Sequence, residues 1–222
     1  MAKKQGLETP CVIINFKTYA SGTGKEAEKL ADICGKFENV AVCAQATDIL
    51  ACSKKAVTFS QHIDPVEQGK KTGFITAEAV KAAGAFGTIL NHAEHKIPKD
   101  VLKASVEKAH ANGLVVLVCA DSTKEAEEIA RICEPDYIAI EPPELIGGNI
   151  SVSKANPKII TSTIAAVQKI KNIPIICGAG VSGTEDVKVA IKLGAVGVLV
   201  ANFVMGAQDK KKAVKDLAQG LG

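Results

Sequence analysis

The chain has 222 residues, of which 47% are hydrophobic but only 4% aromatic, and its net charge is +3. This length suits one α/β domain spanning residues 1–222, and the scattered charges give no support for nucleic-acid binding. No apolar stretch approaches the roughly 20 residues that span a bilayer, and no apolar core follows the first charged residues. Seven cysteines without a C-x-x-C pair indicate reduced, mostly buried thiols. We therefore expect a cytoplasmic protein with no membrane partner.

Eight short apolar runs are predicted to form parallel strands, with amphipathic helical stretches between most of them. The scarcity of aromatic residues predicts an interior of Val, Ile, Leu and Ala. Helix signals include the starts at Thr123 and Thr184, and only residues 45–56 remain for a short helix between strands two and three. The strands cover residues 12–15, 40–44, 57–61, 88–90, 115–119, 137–140, 174–177 and 196–200.

Eight strand–helix units predict an α/β fold, a single-domain (β/α)8 TIM barrel. About 28 residues per unit is below the roughly 31 of a typical barrel, so the outer helices should be shortened. An open doubly wound sheet alternates strands and helices in the same way, but it concentrates its site at one switch point. Here polar residues end strands one, four, six, seven and eight, which favours the barrel.

The first strand carries a candidate cation to the barrel mouth. Period-two alternation puts Ile13, Asn15 and Lys17 on one face, so that the Lys17 ammonium emerges at the mouth. A buried ammonium requires an anion, and a phosphate or an enolate oxygen would serve. A solvated loop lysine is the other interpretation of this segment.

Two proton-handling groups follow strands four and six. His92 lies at a strand end, where it is either a hydrogen-bonded structural residue or an acid–base group working near neutral pH. Glu141 is followed by two prolines and then by Gly147 and Gly148, which is typical of a base beneath a closing lid. Glu144 would lie on that lid, and a glycosidase with paired carboxylates is the alternative.

A glycine-rich segment, residues 178–183, follows strand seven and matches G-x-G-x-x-G. A dinucleotide site also needs an acidic residue about 20 positions later, where this chain has Ala201 and Asn202. We interpret the segment, including Gly180, as part of a phosphate site built from backbone N–H groups after strands seven and eight.

Five segments resemble, in their order and separation, the triosephosphate isomerase family, and most closely its short archaeal branch. The resemblance covers nearly the whole chain. It implies interconversion of dihydroxyacetone phosphate and D-glyceraldehyde 3-phosphate through an enediolate, with no cofactor and no metal. The segments are Asn15-Phe-Lys17, Asn91-His92-Ala-Glu94, Glu141-Pro-Pro-Glu-Leu-Ile-Gly-Gly148, Cys177-Gly-Ala-Gly180 and Val200-Ala-Asn202.

The resemblance also implies the role of each residue at the mouth. Glu141 would move the proton, and His92 would act as the neutral electrophile, which is the accepted state of this histidine in the family. Lys17 would neutralise phosphate and enediolate charge, with Asn15 as a further donor and Glu94 as an anchor beside Lys17.

The phosphate of the substrate would be held by backbone groups, according to the same resemblance. These belong to Gly147, Gly180, Ala201 and Asn202, and residues 142–149 would close over the site to exclude water.

The chain departs from the common family pattern at several neighbouring positions. Ala93 replaces a Ser that touches the resting base, Phe16 replaces a Trp, and Cys177 and Ala179 replace a Tyr and a Gly. None of these changes removes a charged catalytic group, although the absence of the Ser could tune activity.

The segment 68–74 resembles the interdigitating loop of the family, whose Thr, here Thr72, reaches a neighbouring active site. A homodimer or homotetramer follows from this resemblance. Two alternatives stay open on function, namely another phosphosugar-binding barrel and a catalytically silent barrel. The direction of flux, glycolytic or gluconeogenic, is set by the cell.

Overall fold

The computed structural model describes residues 6–142 and 156–222. In this part of the chain, eight parallel strands form a closed barrel in which each strand pairs with the next and β8 pairs with β1. The predicted barrel is therefore confirmed, and every strand bound lies within one residue of the prediction. The strands are β1 (Cys11–Asn15), β2 (Val40–Ala44), β3 (Val57–Ser60), β4 (Gly87–Leu90), β5 (Val115–Ala120), β6 (Tyr137–Ile140), β7 (Ile175–Cys177) and β8 (Gly197–Val200).

The helices outside the barrel are short, as predicted. Four residues form the helix between β2 and β3, and six form the one before β4. No helix of the described ranges is long and apolar enough to cross a membrane. The α-helices are α1 (Lys25–Cys34), α2 (Ile49–Cys52), α3 (Ala77–Ala82), α4 (Lys99–Ala111), α5 (Thr123–Ile132), α6 (Pro157–Gln168), α7 (Thr184–Lys192), α8 (Asn202–Met205) and α9 (Lys210–Ala218).

Both predicted helix starts are found, and local chemistry explains them. The α5 helix begins at Thr123 because the side chain of Ser122 accepts a hydrogen bond from the Glu125 N–H and so caps the first turn. Glu125 in turn accepts at 2.6 Å from the N–H of Asp121, the residue before the cap. This hydrogen bond links the end of β5 to the start of α5.

The barrel interior contains three cysteines and a phenylalanine in addition to the predicted Ile, Leu and Ala. Phe59 lies fully buried inside the barrel, and its ring meets that of Phe86 edge to face at 5.6 Å. Because an interior is filled to nearly constant density, this ring requires small neighbours. The interior cluster comprises Cys11, Ile13, Ala41, Cys43, Phe59, Ile89, Leu117, Cys119, Ala139, Ile176 and Leu199.

The cysteines serve as small apolar side chains. All seven are buried and none forms a disulfide. Burial raises the pKa of Cys11 to about 12 and that of Cys133 to about 11. These thiols therefore stay protonated at neutral pH, as expected for cysteines with structural roles.

Gly87 should be required for the packing of Phe59. A Cβ at Gly87 would lie 2.6 Å from Phe59 Cε1 and would also collide with the Val115 carbonyl oxygen. We expect Gly87→Ala to lower the free energy of unfolding by about 1–3 kcal/mol through overpacking. Urea denaturation measures the change, with Gly6→Ala as the matched control because a Cβ there meets nothing within 4 Å. Equal stability of the two variants would contradict this role.

Candidate active site

Polar side chains from several strands meet at the carboxyl end of the barrel. They border a cavity of about 90 Å³. Parallel strands deliver their last residues to one mouth, so residues far apart in sequence become neighbours. Seven predicted site residues line this cavity: Asn15, Lys17, His92, Glu141, Gly180, Ala201 and Asn202.

Lys17 reaches the cavity through a left-handed turn, since β1 ends at Asn15 and the φ of Lys17 is +46°. This differs from the predicted continuation of the strand. Asn15 Oδ1 accepts from the Lys17 N–H at 2.9 Å, and Gln61 Nε2 donates to the Lys17 carbonyl at 2.9 Å. These bonds hold a backbone conformation that costs about 1–3 kcal/mol. Gln61 was not predicted, although its place directly after β3 is the same signal that identified the others.

The Lys17 ammonium forms an ion pair with a carboxylate of the protein. Lys17 Nζ lies 2.6 Å from Glu94 Oε1, and the exposed fractions of the two side chains are 16% and 54%. Glu94 thus supplies the anion that the sequence analysis required. Because Glu94 is largely exposed, opening this pair costs little free energy.

His92 is held in one tautomer by its own loop. The Glu94 N–H donates to His92 Nδ1 at 3.2 Å, so this nitrogen is an acceptor and carries no proton. A neutral ring then carries its proton on Nε2, as assigned from the hydrogen bond. Nε2 lies 3.6 Å from Glu141 Oε2, so the two predicted proton-handling groups face each other.

The Glu141 carboxylate is buried at the mouth, with only 4% of the residue exposed. Its Oε2 has no hydrogen-bond partner within the described ranges. A buried carboxylate oxygen in this state is available to accept a hydrogen from a bound ligand, because unsatisfied buried acceptors are costly. The geometry therefore suits proton abstraction.

A glycine and a cysteine beside Glu141 limit the position that its carboxylate can take. A Cβ on Gly178 would overlap Glu141 Cγ and come within 2.8 Å of its carboxyl carbon. The Cys119 thiol lies on the barrel side and donates a hydrogen bond to Glu141. Burial raises the pKa of this thiol well above its usual value, and the charge of Glu141 and this hydrogen bond raise it further. Gly178 and Cys119 therefore define the resting position of the carboxylate.

The loop after β7 has the backbone geometry of an anion site. Ala179 and Gly180 both have left-handed φ values, +66° and +67°. Further along, Ser182 donates from N and Oγ to Asp186 Oδ2 at 2.8 and 2.7 Å, which anchors the loop to α7. Loops of this kind present backbone N–H groups to phosphates.

The predicted lid and its glycines lie outside the described residues. This applies to Glu144, Gly147 and Gly148, which stay predictions. Among the residues that the structure describes, no group of three or more His, Cys, Asp or Glu side chains could hold a metal ion.

A second cavity of about 500 Å³ adjoins the first on the side of Lys17. Two histidines stack in it, with the ring centroids of His62 and His95 4.7 Å apart. His62 Nε2 lies 3.3 Å from Asp64 Oδ1. Burial, and to a smaller extent the charge of His95, lowers the pKa of His62 despite the opposing effect of Asp64.

Comparisons with known proteins give a consistent result. The family model described as triosephosphate isomerase matches residues 10–218. Triosephosphate isomerase of Methanobacterium bryantii is 42% identical over 222 residues, which is 96% of this chain and 98% of the relative. The Methanosarcina mazei enzyme is 39% identical over 217 residues, 94% and 97% of the two chains. The crystal structure of triosephosphate isomerase from Bartonella henselae superposes with a TM-score of 0.70 at 20% identity, covering 94% and 98%.

The lowered pKa of His62 predicts a loss of stability in mild acid. The unfolded chain binds this proton below about pH 6.5, whereas the native state binds it only at lower pH, so stability falls as the pH drops through this window. We expect His62→Gln to lose less unfolding free energy than the wild type between pH 7.5 and 5.5 in urea titrations. His110→Gln, a change on the outer helix α4, is the control. Identical losses in wild type and His62→Gln would contradict the prediction.

Proposed function

The chain belongs to the triosephosphate isomerase family, and we propose that Glu141, His92 and Lys17 carry its reaction. It is an aldose–ketose isomerase that interconverts dihydroxyacetone phosphate and D-glyceraldehyde 3-phosphate. The reaction moves a proton between two adjacent carbons through an enediolate. The observation that carries the assignment is the buried Glu141 Oε2, unpartnered within the described ranges and 3.6 Å from His92 Nε2.

Glu141 acts as the general base in this proposal. Its buried carboxylate removes the proton from one carbon of the substrate and returns it to the next, so one group serves as base and then as acid. Burial strengthens its interaction with the substrate, because little water competes for the oxygen. The second oxygen stays against Gly178 and Cys119 and keeps the carboxylate oriented.

His92 acts as the electrophile. With Nδ1 occupied by the Glu94 N–H, the Nε2–H group is the donor available to the two substrate oxygens. A neutral imidazole in this role agrees with the established behaviour of the family. The donor is in place before the enediolate charge develops, so no reorganisation is needed at the transition state.

Lys17 supplies the positive charge. Its ammonium leaves the exposed Glu94 carboxylate, or shares it, when the anionic substrate enters. Asn15 assists, because its Oδ1 accepts from the Lys17 N–H and leaves Nδ2 to donate to the substrate. Both side chains sit on the turn that Gln61 braces, so their positions are fixed before binding.

The substrate phosphate binds on the opposite side of the cavity in this proposal. The left-handed turn at Gly180, and Ala201 with Asn202 after β8, line that side. The family assignment does not favour the two alternatives, another phosphosugar-binding barrel or a silent barrel.

We further propose that the protein is a cytoplasmic homo-oligomer, dimeric or tetrameric. The cavity of about 500 Å³ beside Lys17 is open to a loop from a second copy. Thr72 lies on an exposed loop, and Phe74 on the same loop keeps 49% of its surface exposed. Seven buried cysteines outside any disulfide fit a reducing compartment.

Glu141→Gln should abolish most turnover while leaving the fold intact. Glutamine has nearly the same shape but cannot accept the proton, so we expect kcat to fall by about 10²–10⁴-fold. Isomerisation of triose phosphates by purified protein measures the effect, and Glu38→Gln, an exposed change at the other end of the barrel, is prepared identically as the control. Equal rates in wild type and Glu141→Gln would indicate contamination by a host isomerase and would contradict the assignment of the base.

Thr72→Arg should separate the subunits if the loop enters a neighbouring cavity. A long charged side chain cannot be buried there without a partner. We expect sedimentation analysis to show monomers and kcat to fall by about tenfold or more, since the cavity beside Lys17 loses the loop that is proposed to fill it. Glu38→Gln, which also raises the net charge by one, controls for the change of charge. An oligomer of unchanged mass with full activity would contradict the proposed interface.

A further inference from the structure

Asn91 occupies a conformation that few residues adopt. It is the single residue between β4 and His92, and its φ is +58°. Asparagine tolerates this left-handed region far better than most side chains do. The residue is only 4% exposed, so its amide must be satisfied by hydrogen bonds inside the protein.

The Asn91 side chain connects three separate parts of the barrel mouth. Nδ2 donates to the Cys119 carbonyl at the end of β5 and to Glu125 Oε1 at the start of α5, both at 3.0 Å. Oδ1 accepts from the Ile97 N–H at 3.3 Å. Both partners of Nδ2 are pure acceptors and the partner of Oδ1 is a pure donor, so the orientation of the amide is unambiguous.

These bonds enclose the segment that carries His92. Residue 91 begins the segment, and the hydrogen bond from the Ile97 N–H closes it six residues later. Inside it, the His95 N–H donates to the His92 carbonyl at 2.8 Å, and the Glu94 N–H donates to His92 Nδ1. The path of the loop therefore decides whether Glu94 can fix the tautomer of His92.

Glu125 is the fixed point to which Asn91 is attached. Besides Asn91 it accepts from the Asp121 N–H and from Lys96 Nζ, the latter at 2.9 and 3.0 Å to its two oxygens. Lys96 also bonds Asp121 at 2.7 Å. A carboxylate held by a backbone N–H and a lysine cannot easily turn away, so it is a rigid acceptor for the Asn91 amide.

We propose that Asn91 is a positioning residue for His92. Its amide holds the 91–97 segment against β5 and α5, so that the Glu94 N–H points at Nδ1 and the proton of His92 stays on Nε2, facing Glu141. This inference rests on the proposed role of His92 as electrophile. Asn91 touches no reacting atom and acts only through the ring.

Two substitutions separate the backbone conformation from the amide bonds. Asn91→Gly keeps the left-handed φ but removes all three bonds. Asn91→Asp keeps the shape but puts an oxygen opposite the Cys119 carbonyl and the Glu125 carboxylate, where it is repelled. We expect both variants to remain folded and to lose kcat by about 10–100-fold, with KM little changed because Lys17 and the phosphate site remain.

A spectroscopic readout shows whether the loss passes through His92. In ¹⁵N-histidine-labelled wild type we expect the His92 ring signals of a single Nε2–H tautomer, identified by their disappearance in His92→Gln. In Asn91→Gly we expect signals averaged between tautomers. Asn39 is the matched control, since it too is left-handed, with φ +56°, but precedes β2 at the other end of the barrel; Asn39→Gly should change neither kcat nor the ring signals.

The outcomes are distinct. The inference would be overturned if Asn91→Gly kept the wild-type kcat, or if it lost kcat while the His92 signals stayed unchanged. A lower melting temperature of this variant would not alter that conclusion. Should that variant not fold, Glu125→Gln tests the same link, because glutamine can retain the bond from the Asp121 N–H but presents a donor to Asn91. Full activity in His92→Gln would instead refute the proposed role of His92, independently of Asn91.

Discussion

Closure of the parallel sheet into a ring is the constraint on which the rest of this molecule depends. Pairing of β8 with β1 leaves no open edge, and the common direction of the strands sends all their carboxyl ends to one mouth. This is why Asn15 and Asn202, at opposite ends of the chain, line one cavity. The same closure limits the interior volume, so Phe59 can lie inside only because Gly87 has no side chain.

The site keeps its Lys17 ammonium beside an internal partner that a substrate can replace. Lys17 pairs with the exposed Glu94, and Glu141 lies opposite His92. A buried charge without a partner would be too costly, whereas a tightly bound partner would compete with the substrate. The Lys17–Glu94 ion pair is half exposed, so the ammonium has a partner and that partner can still be displaced by the substrate. In the proposed mechanism the enediolate charge takes over the place of the Glu94 carboxylate.

Much of the fold and part of the site could be predicted from local patterns. Each strand is a short run of β-branched and small residues, and its last residue marks the mouth, so strand bounds were recovered to within one residue. The same rule identified Lys17, His92 and Glu141 as neighbours, because in a barrel the position of a residue at a strand end fixes its neighbourhood. The rule also covers Gln61, the last residue of the predicted third strand, but neither a charge nor a family motif marks that amide as part of the site.

The sequence by itself determined the barrel, the order of its strands and the chemical types collected at its mouth, since these follow from periodicity and from residues adjacent in the chain. The tertiary structure alone decided how those groups are held. Gln61 braces Lys17 across 44 residues, and Glu94 reaches it across 77. Gly178 makes room for Glu141 from a neighbouring strand. Such contacts require segments remote in sequence to be placed to within a few tenths of an ångström, and no local pattern encodes that placement.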